Sequence, residues 1–337
     1  MSKFFITFAT NIHLCANAYA HTFEIQSPIT QAVLCRHIVR MQRQTLMNCI
    51  YHGPVTYKRT DPLQLDLKYV MQKKIGKKRM EYIPGFIIRR LEKIICIKEL
   101  NEILAHNNGK TGADFATGVL EQLNTKVDVR QTENMLPPSK RRVLLVSNHP
   151  MGGPEGVAMI HFMSRYYGGQ IYVVVNDILM AVEPLQDVFL PVNKHGHQGQ
   201  QTVSRLDEAL NSDNPVLIFP AGKASRLDNR GRVRDLPWHR AFINKAIAHK
   251  RTILPIFCCG RNSKFFYNFA RVREALGIKL NIEMVRLPYE LLRMRNTTMS
   301  IICGKPVDWQ TLRGGRHADE DSDRIRQLVY SMEPIAQ

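Results

Sequence analysis

Short runs that are apolar at nearly every position recur through the second half of the chain. They are VLLVS (143–147), IYVVV (171–175), PVLIF (215–219), TILPIF (252–257) and MSIICG (299–304). Between them apolar residues return at helical spacing, as in GVAMIHFMSRYY and WHRAFINKAIAHK. Unbroken apolar runs suit strands buried on both faces, and their alternation with helices predicts an α/β fold. Its centre is a mixed, mostly parallel sheet flanked by helices. Further upstream, Ile83, Ile87, Leu91 and Ile94 lie on one face of a helix, with Pro84 suited to the start of it. Residues 107–125 predict another helix, broken by glycines. Pro137-Pro138-Ser139 predicts a hinge, and residues 1–62 show no sustained period. The expected organisation is an irregular N-terminal extension (1–62), a basic helical segment (63–136) and an α/β domain (137–337).

Charge changes that picture most in the helical segment. From Lys68 to Lys98 there are basic residues at 68, 73, 74, 77, 78, 79, 89, 90, 93 and 98, against Glu81 and Glu92 alone. A basic amphipathic helix of this kind either lies in a membrane interface or packs on its own domain with a solvated face. The whole chain of 337 residues carries a formal +18, which favours a polyanionic neighbour: an anionic membrane or a nucleic acid. No RNP-like aromatic signature, zinc finger or helix-turn-helix is present, so nucleic acid is not expected. No stretch reaches the roughly 18 apolar residues of a spanning helix, which predicts a soluble or peripheral protein. The first 20 residues have Lys3, an apolar stretch and A-x-A before His21, the outline of an export signal. Thr7, Thr10, Asn11 and His13 interrupt that stretch, and an extension without export is the expectation.

The seven cysteines are odd in number and form no C-x-x-C pair, which predicts free thiols rather than disulfides or a zinc ribbon. His195 and His197 resemble a metal pair, but no third ligand sits at a suitable spacing, and no metal is expected.

Three strand ends carry candidate chemistry. After VLLVS comes NHPMGGPEG, with Asn148, His149, Gly152, Gly153 and Glu155. Ligands of open α/β sheets bind beyond such strand ends. A carboxylate at the start of the next helix is favoured by the helix dipole and can reach back to the histidine. There it either fixes the imidazole as a base or merely orders the turn. After PVLIF comes FPAGKASR, where Gly222, Ser225 and Arg226 can present backbone N–H groups, a hydroxyl and a guanidinium to a phosphate or carboxylate. Ser225 lacks the glycines of a nucleophile elbow, so serine hydrolysis is a poor fit. After TILPIF comes CCGRNSKFFY, with Arg261, Asn262 and Ser263. The three turns form one crevice or are scattered loop polars.

In this order, NHPMGGPEG, FPAGKASR and ILPIFCCGRNSKFFY, followed by IICGKPV, resemble the lysophospholipid acyltransferase superfamily. The nearest branch is the hemolysin-like one, which includes bacterial enzymes of ornithine- and glycine-lipid synthesis. The resemblance covers about residues 65–310. The superfamily signature is N-H, four residues and an aspartate. Asn148 and His149 match it, while the carboxylate here is Glu155 after five residues, as in the N-H-P-x-G-G-x-(D/E)-G of that branch. The resemblance implies that His149 is the general base and Glu155 its orienting carboxylate. The substrate block F-P-E-G-T-R-S corresponds to Phe219, Pro220, Ala221, Gly222, Lys223, Ala224 and Ser225, without the glutamate and arginine. Asn193 stands where the family often has an arginine-bearing acceptor strand. Both departures point away from a phosphate acceptor and toward an acidic head group met by Lys223 and Arg226.

The resemblance further implies a fatty acyl donor, acyl-ACP or acyl-CoA, with no tightly bound cofactor. It implies a lyso-lipid acceptor, an N-acyl glycine or N-acyl ornithine, and N–H groups of the glycine turns holding the oxyanion. The enzyme would sit peripherally on the cytoplasmic face of the inner membrane, docked through its basic helix. Two alternatives stay open: a 1-acylglycerol-3-phosphate acyltransferase, and a catalytically silent basic protein that binds membranes or nucleic acid.

Overall fold

The strand VLLVS lies at the middle of the molecule, and all five of its residues are buried. Its side chains alternate between two cores: Val143 and Leu145 join one, Leu144 and Val146 the other. Burial on both sides is what an unbroken apolar run requires. The computed structural model describes residues 63–334 except 77–79, 177–178, 181, 193–199 and 278–280. The expected extension of residues 1–62, Lys77, Lys78, Arg79, Asn193, His195 and His197 lie outside the described residues.

Helices α1 (Leu67–Ile75), α2 (Gly85–Ile95), α3 (Ile97–His106) and α4 (Gly112–Gln122) precede strand β1 (Lys126–Arg130). Then come β2 (Val143–Ser147), α5 (Pro154–Tyr167), β3 (Tyr172–Asn176), β4 (Phe189–Val192), α6 (Gln200–Asn211) and β5 (Val216–Ile218). A short hairpin of β6 (Arg226–Leu227) and β7 (Val233–Arg234) leads to α7 (Ala241–Ala248) and β8 (Thr252–Cys258). The chain continues through α8 (Lys264–Ala275), a 3₁₀ turn at Ile282–Arg286, α9 (Leu287–Leu292), β9 (Thr298–Cys303) and α10 (Ala318–Ser331).

Among the described residues, seven strands form one sheet in the order β1-β9-β8-β2-β5-β3-β4. Every neighbouring pair is parallel except β8–β9. This is the mixed, mostly parallel sheet expected. One core is filled by α4 and α5, the other by α6, α7 and α10. The boundary expected at 136/137 falls inside this unit. Strand β1 pairs with β9, and Phe115, Val119 and Leu123 share a core with Leu145. The signal for β1 was weak because KVDVR alternates polar and apolar residues and is only half-buried.

Strands β8, β2 and β5 are adjacent and parallel, with Val146 opposite both Pro255 and Ile218. Their C-terminal ends therefore share one edge. The three turns singled out from the sequence all leave from it.

At the opposite edge a cation stands in for missing helix hydrogen bonds. Arg251 has no exposed surface and, among the described residues, no carboxylate partner, yet it donates to five main-chain carbonyls. Those of Ala209, Leu210 and Ser212 belong to the C-terminal end of α6, where carbonyls lack helical partners and cations are favoured. Those of Val143 and Asn214 lie at the entries to β2 and β5. Burial, then the neighbouring Arg142, pushes the guanidinium down to about 10, so it stays charged at neutral pH. Replacing it with methionine keeps the volume and strips five acceptors of their donor. Arg251→Met is expected to lose about 3 kcal/mol of stability, read by denaturant melting against an exposed control such as Lys250→Met.

Candidate active site

The turn after β2 is shaped by its glycines and closed by its glutamate. Gly152 takes a φ of +89°, open to glycine and strained for other residues. A Cβ there would lie 2.8 Å from the Ala224 Cβ, so a side chain would also push the second loop away. Helix α5 then starts at Pro154, where a missing N–H costs nothing. Glu155, in the first helical turn, folds back: its carboxylate accepts from Met151 N (2.9 Å), Gly152 N (2.9 Å) and Gly153 N (3.1 Å). The N–H groups of the glycine turn, expected at an oxyanion, are therefore bonded to Glu155. This corrects the sequence expectation; the turn needs its donors to keep a buried carboxylate charged.

Glu155 Oε1 also lies 3.0 Å from His149 Nδ1, although the ring N–H axis points off the line between them. Glu155 is fully buried and the His149 side chain is 15% exposed. Burial alone would raise the Glu155 pKa. The His149 ring and the turn N–H groups outweigh it and hold the carboxyl below its ordinary value. A lowered folded-state pKa contributes stability above the ordinary glutamate value near 4.5, and that stability is lost as pH falls below it. Nδ1 faces the carboxylate, and Nε2 is the ring nitrogen turned away from it. Phe219 stacks on the imidazole, with centroids 4.2 Å apart.

The main chain of His149 is clamped as firmly as its ring. Its carbonyl accepts from Ser225 N (2.8 Å) and Ser225 Oγ (3.1 Å). Asn148 bridges to the end of β8 by donating to Cys258 O (3.0 Å) and accepting from Cys258 N (2.7 Å). The loop after β5 and the end of β8 are thus both hydrogen-bonded to the turn after β2.

Several residues expected to face a ligand are turned inward. Ser225 is buried against His149, and Pro220 is buried too. The Arg226 guanidinium binds Ala224 O (2.7 Å) and pairs with buried Glu283, itself 2.8 Å from Arg273. Desolvation lowers the Arg226 pKa, with Glu283 opposing it. A guanidinium held this way rivets the second loop to α8 and is turned away from an acidic head group. Ser263 donates through N and Oγ to Glu290 and caps α8 at Phe266 N. Asn262 is buried with its N–H on Tyr267 Oη (3.0 Å). Toward solvent remain Gly222 and Arg261, exposed, with Lys223 and Gly153 partly so.

One residue was missed. Asp235, 5% exposed, accepts from His149 N (3.1 Å), Ser225 Oγ (2.5 Å) and Trp238 Nε1 (2.8 Å). Its own N–H donates to Tyr330 Oη (2.7 Å) and its carbonyl accepts from Arg326 (2.8 Å), both on α10. The one sequence signal was a carboxylate before Leu-Pro-Trp in a run of arginines, 86 residues from the histidine. Asp235→Asn keeps the shape but points an amide N–H at a donor. It is expected to lower kcat roughly tenfold or more with little change in KM, through displacement of the His149 peptide. Steady-state kinetics beside a melting curve check this; unchanged kcat would remove Asp235 from the positioning scheme.

Among solved structures, the 1-acyl-sn-glycerophosphate acyltransferase of Thermotoga maritima is similar at 14% identity and a TM-score of 0.41, covering 75% of this chain and 89% of that one. The lyso-glycine lipid O-acyltransferase of Phocaeicola vulgatus is 36% identical over 268 residues, 80% of this chain and 95% of the relative. Its namesake in Bacteroides thetaiotaomicron is 37% identical over 268 residues, 80% and 97% of the two chains. A family described as "Acyltransferase" matches residues 70–334, from α1 to the end of α10 and across the boundary expected at 136/137. With the histidine, its carboxylate and both flanking loops inside that span, this chain belongs to the acyltransferase family and is an acyltransferase.

Proposed function

We propose that the chain moves a fatty acyl group from a thioester, acyl-ACP or acyl-CoA, to the hydroxyl of a lyso-lipid of the N-acyl amino acid type. The observation that carries this reading is the 3.0 Å approach of Glu155 to His149 Nδ1 on a clamped turn at the strand ends. His149 Nε2 takes the proton of the acceptor hydroxyl, and the oxygen attacks the thioester carbonyl. The tetrahedral intermediate then collapses, and the departing thiolate receives the proton from the imidazolium. Glu155 fixes the tautomer and stabilises the imidazolium. Base assistance of this kind supplies roughly 10²–10⁴-fold, with positioning supplying more.

For the acceptor, the names of the two relatives favour a lyso-glycine lipid, whose head group ends in a carboxylate. Lys223, partly exposed, and Arg261, exposed, are the proposed partners of that carboxylate. Docking is proposed for residues 63–106. On α2 the exposed Phe86, Arg89, Arg90 and Lys93 suit an anionic leaflet, at about 1 kcal/mol per well-placed basic residue. Among the described residues, no helix is long and apolar enough to cross a membrane. The proposed place is peripheral, on the cytoplasmic face of the inner membrane.

The test is mass spectrometry of lipids extracted from a host expressing wild type or His149→Ala and supplied with N-acyl glycine, N-acyl ornithine and lysophosphatidic acid. A diacyl aminolipid made by wild type and missing with the variant is expected. Equal product from both would sink the general-base role, and product from lysophosphatidic acid alone would reassign the acceptor.

A further inference from the structure

Helix α8 presents an apolar face to solvent. Phe265, Val272 and Leu276 are 39%, 55% and 48% exposed. With the partly buried Phe269 they fall at i, i+4, i+7 and i+11, one continuous stripe, and the Phe265 and Phe269 rings stack 5.8 Å apart. The other face of the helix is anchored: Phe266, Tyr267, Ala270 and Arg273 are buried. Beside the stripe, Val285 and Tyr289 are exposed, at 41% and 36%. The Arg286 guanidinium joins the two patches, lying 4.9 Å from the Phe265 ring centre and 4.1 Å from that of Tyr289. The exposed charges on and beside the helix are mainly basic: Arg261, Lys264 and Arg271 against Glu274, which pairs with Arg273.

We propose that this face is a second membrane-docking element and that its occupant is an anionic phospholipid bilayer. An amphipathic helix with aromatic and aliphatic groups along one side and basic groups at its margins fits the boundary between head groups and acyl chains. There the rings enter the apolar layer while arginine and lysine stems reach back to phosphate. The position suits the chemistry. Leu287, at the start of α9, lies so close to the catalytic turn that a Cβ on Gly152 would sit 3.0 Å from its Cδ2. Helix α9 also packs against α2, so this face adjoins the proposed basic docking segment. A bilayer on both would hold the acceptor beside His149. The inference deepens the proposed function and rests on it for purpose, while docking itself is measured without turnover.

The experiment compares the full chain with its F265Q/V272Q/L276Q variant in co-sedimentation with phosphatidylcholine vesicles, with and without phosphatidylglycerol. The variant is expected to bind the anionic vesicles about tenfold more weakly, with an unchanged circular dichroism spectrum. Its turnover of a detergent-dispersed acceptor should match wild type, while turnover of a vesicle-borne acceptor falls. A Val272→Trp variant supplies an independent readout: its emission should shift to the blue on anionic vesicles and be quenched by brominated acyl chains. Unchanged sedimentation with no shift at residue 272 would overturn the proposal. So would intact vesicle binding combined with lost binding to an acidic acyl carrier protein, which would assign the face to a protein partner. Weakened vesicle binding in a chain whose wild type acylates no acceptor would leave docking standing and refute the proposed function instead.

Discussion

A carboxylate with no exposed surface organises the turn after β2. Glu155 gathers the N–H groups of Met151, Gly152 and Gly153 and stands 3.0 Å from the His149 ring. Water cannot solvate it there, so the charge persists only because those donors and the imidazole replace water. The constraint runs both ways. The turn keeps its shape because the carboxylate needs the donors, and the imidazole has a defined neighbour because the turn holds the carboxylate still. The positive end of α5 adds to the balance.

Everything around this contact limits its freedom to move. Asp235 does for the His149 peptide what Glu155 does for the ring, and its links to Tyr330 and Arg326 carry that restraint to α10. Asn148 ties the turn to β8, and Ser225 ties it to the loop after β5. The buried group of Arg226, Glu283 and Arg273 fixes that loop to the helices behind it. Buried charges of this kind add little net stability against an apolar alternative, but breaking one partner is costly. Here they hold a loop in one place beside His149.

The sheet was legible because its central strands are buried on both faces, and only an unbroken apolar run satisfies that. Its margins were less so. KVDVR at the edge is half-buried and reads as polar, and FLPV is short and holds a proline. The antiparallel direction of β9 follows from the path through α8 and α9, which no residue in MSIICG encodes. The pairing of His149 with Glu155 was legible because both lie in one turn. Asp235 was not, because its contact spans 86 residues and depends on how the hairpin folds back. Ser225, Arg226 and Ser263 show a related limit: polar residues at a strand end look alike whether they face a ligand or the interior, and only packing separates the two.

The proposed role of the Glu155 charge is to make His149 an effective base. Its most direct measurement is kcat at neutral pH for Glu155→Gln, on protein whose fold is verified by circular dichroism. Glutamine keeps the size but removes the charge that fixes the tautomer and stabilises the imidazolium. This role predicts a fall of about 10²-fold or more with KM little altered. Turnover within about twofold of wild type would contradict it, and would leave Glu155 as a group that orders the turn and takes no part in the proton transfer.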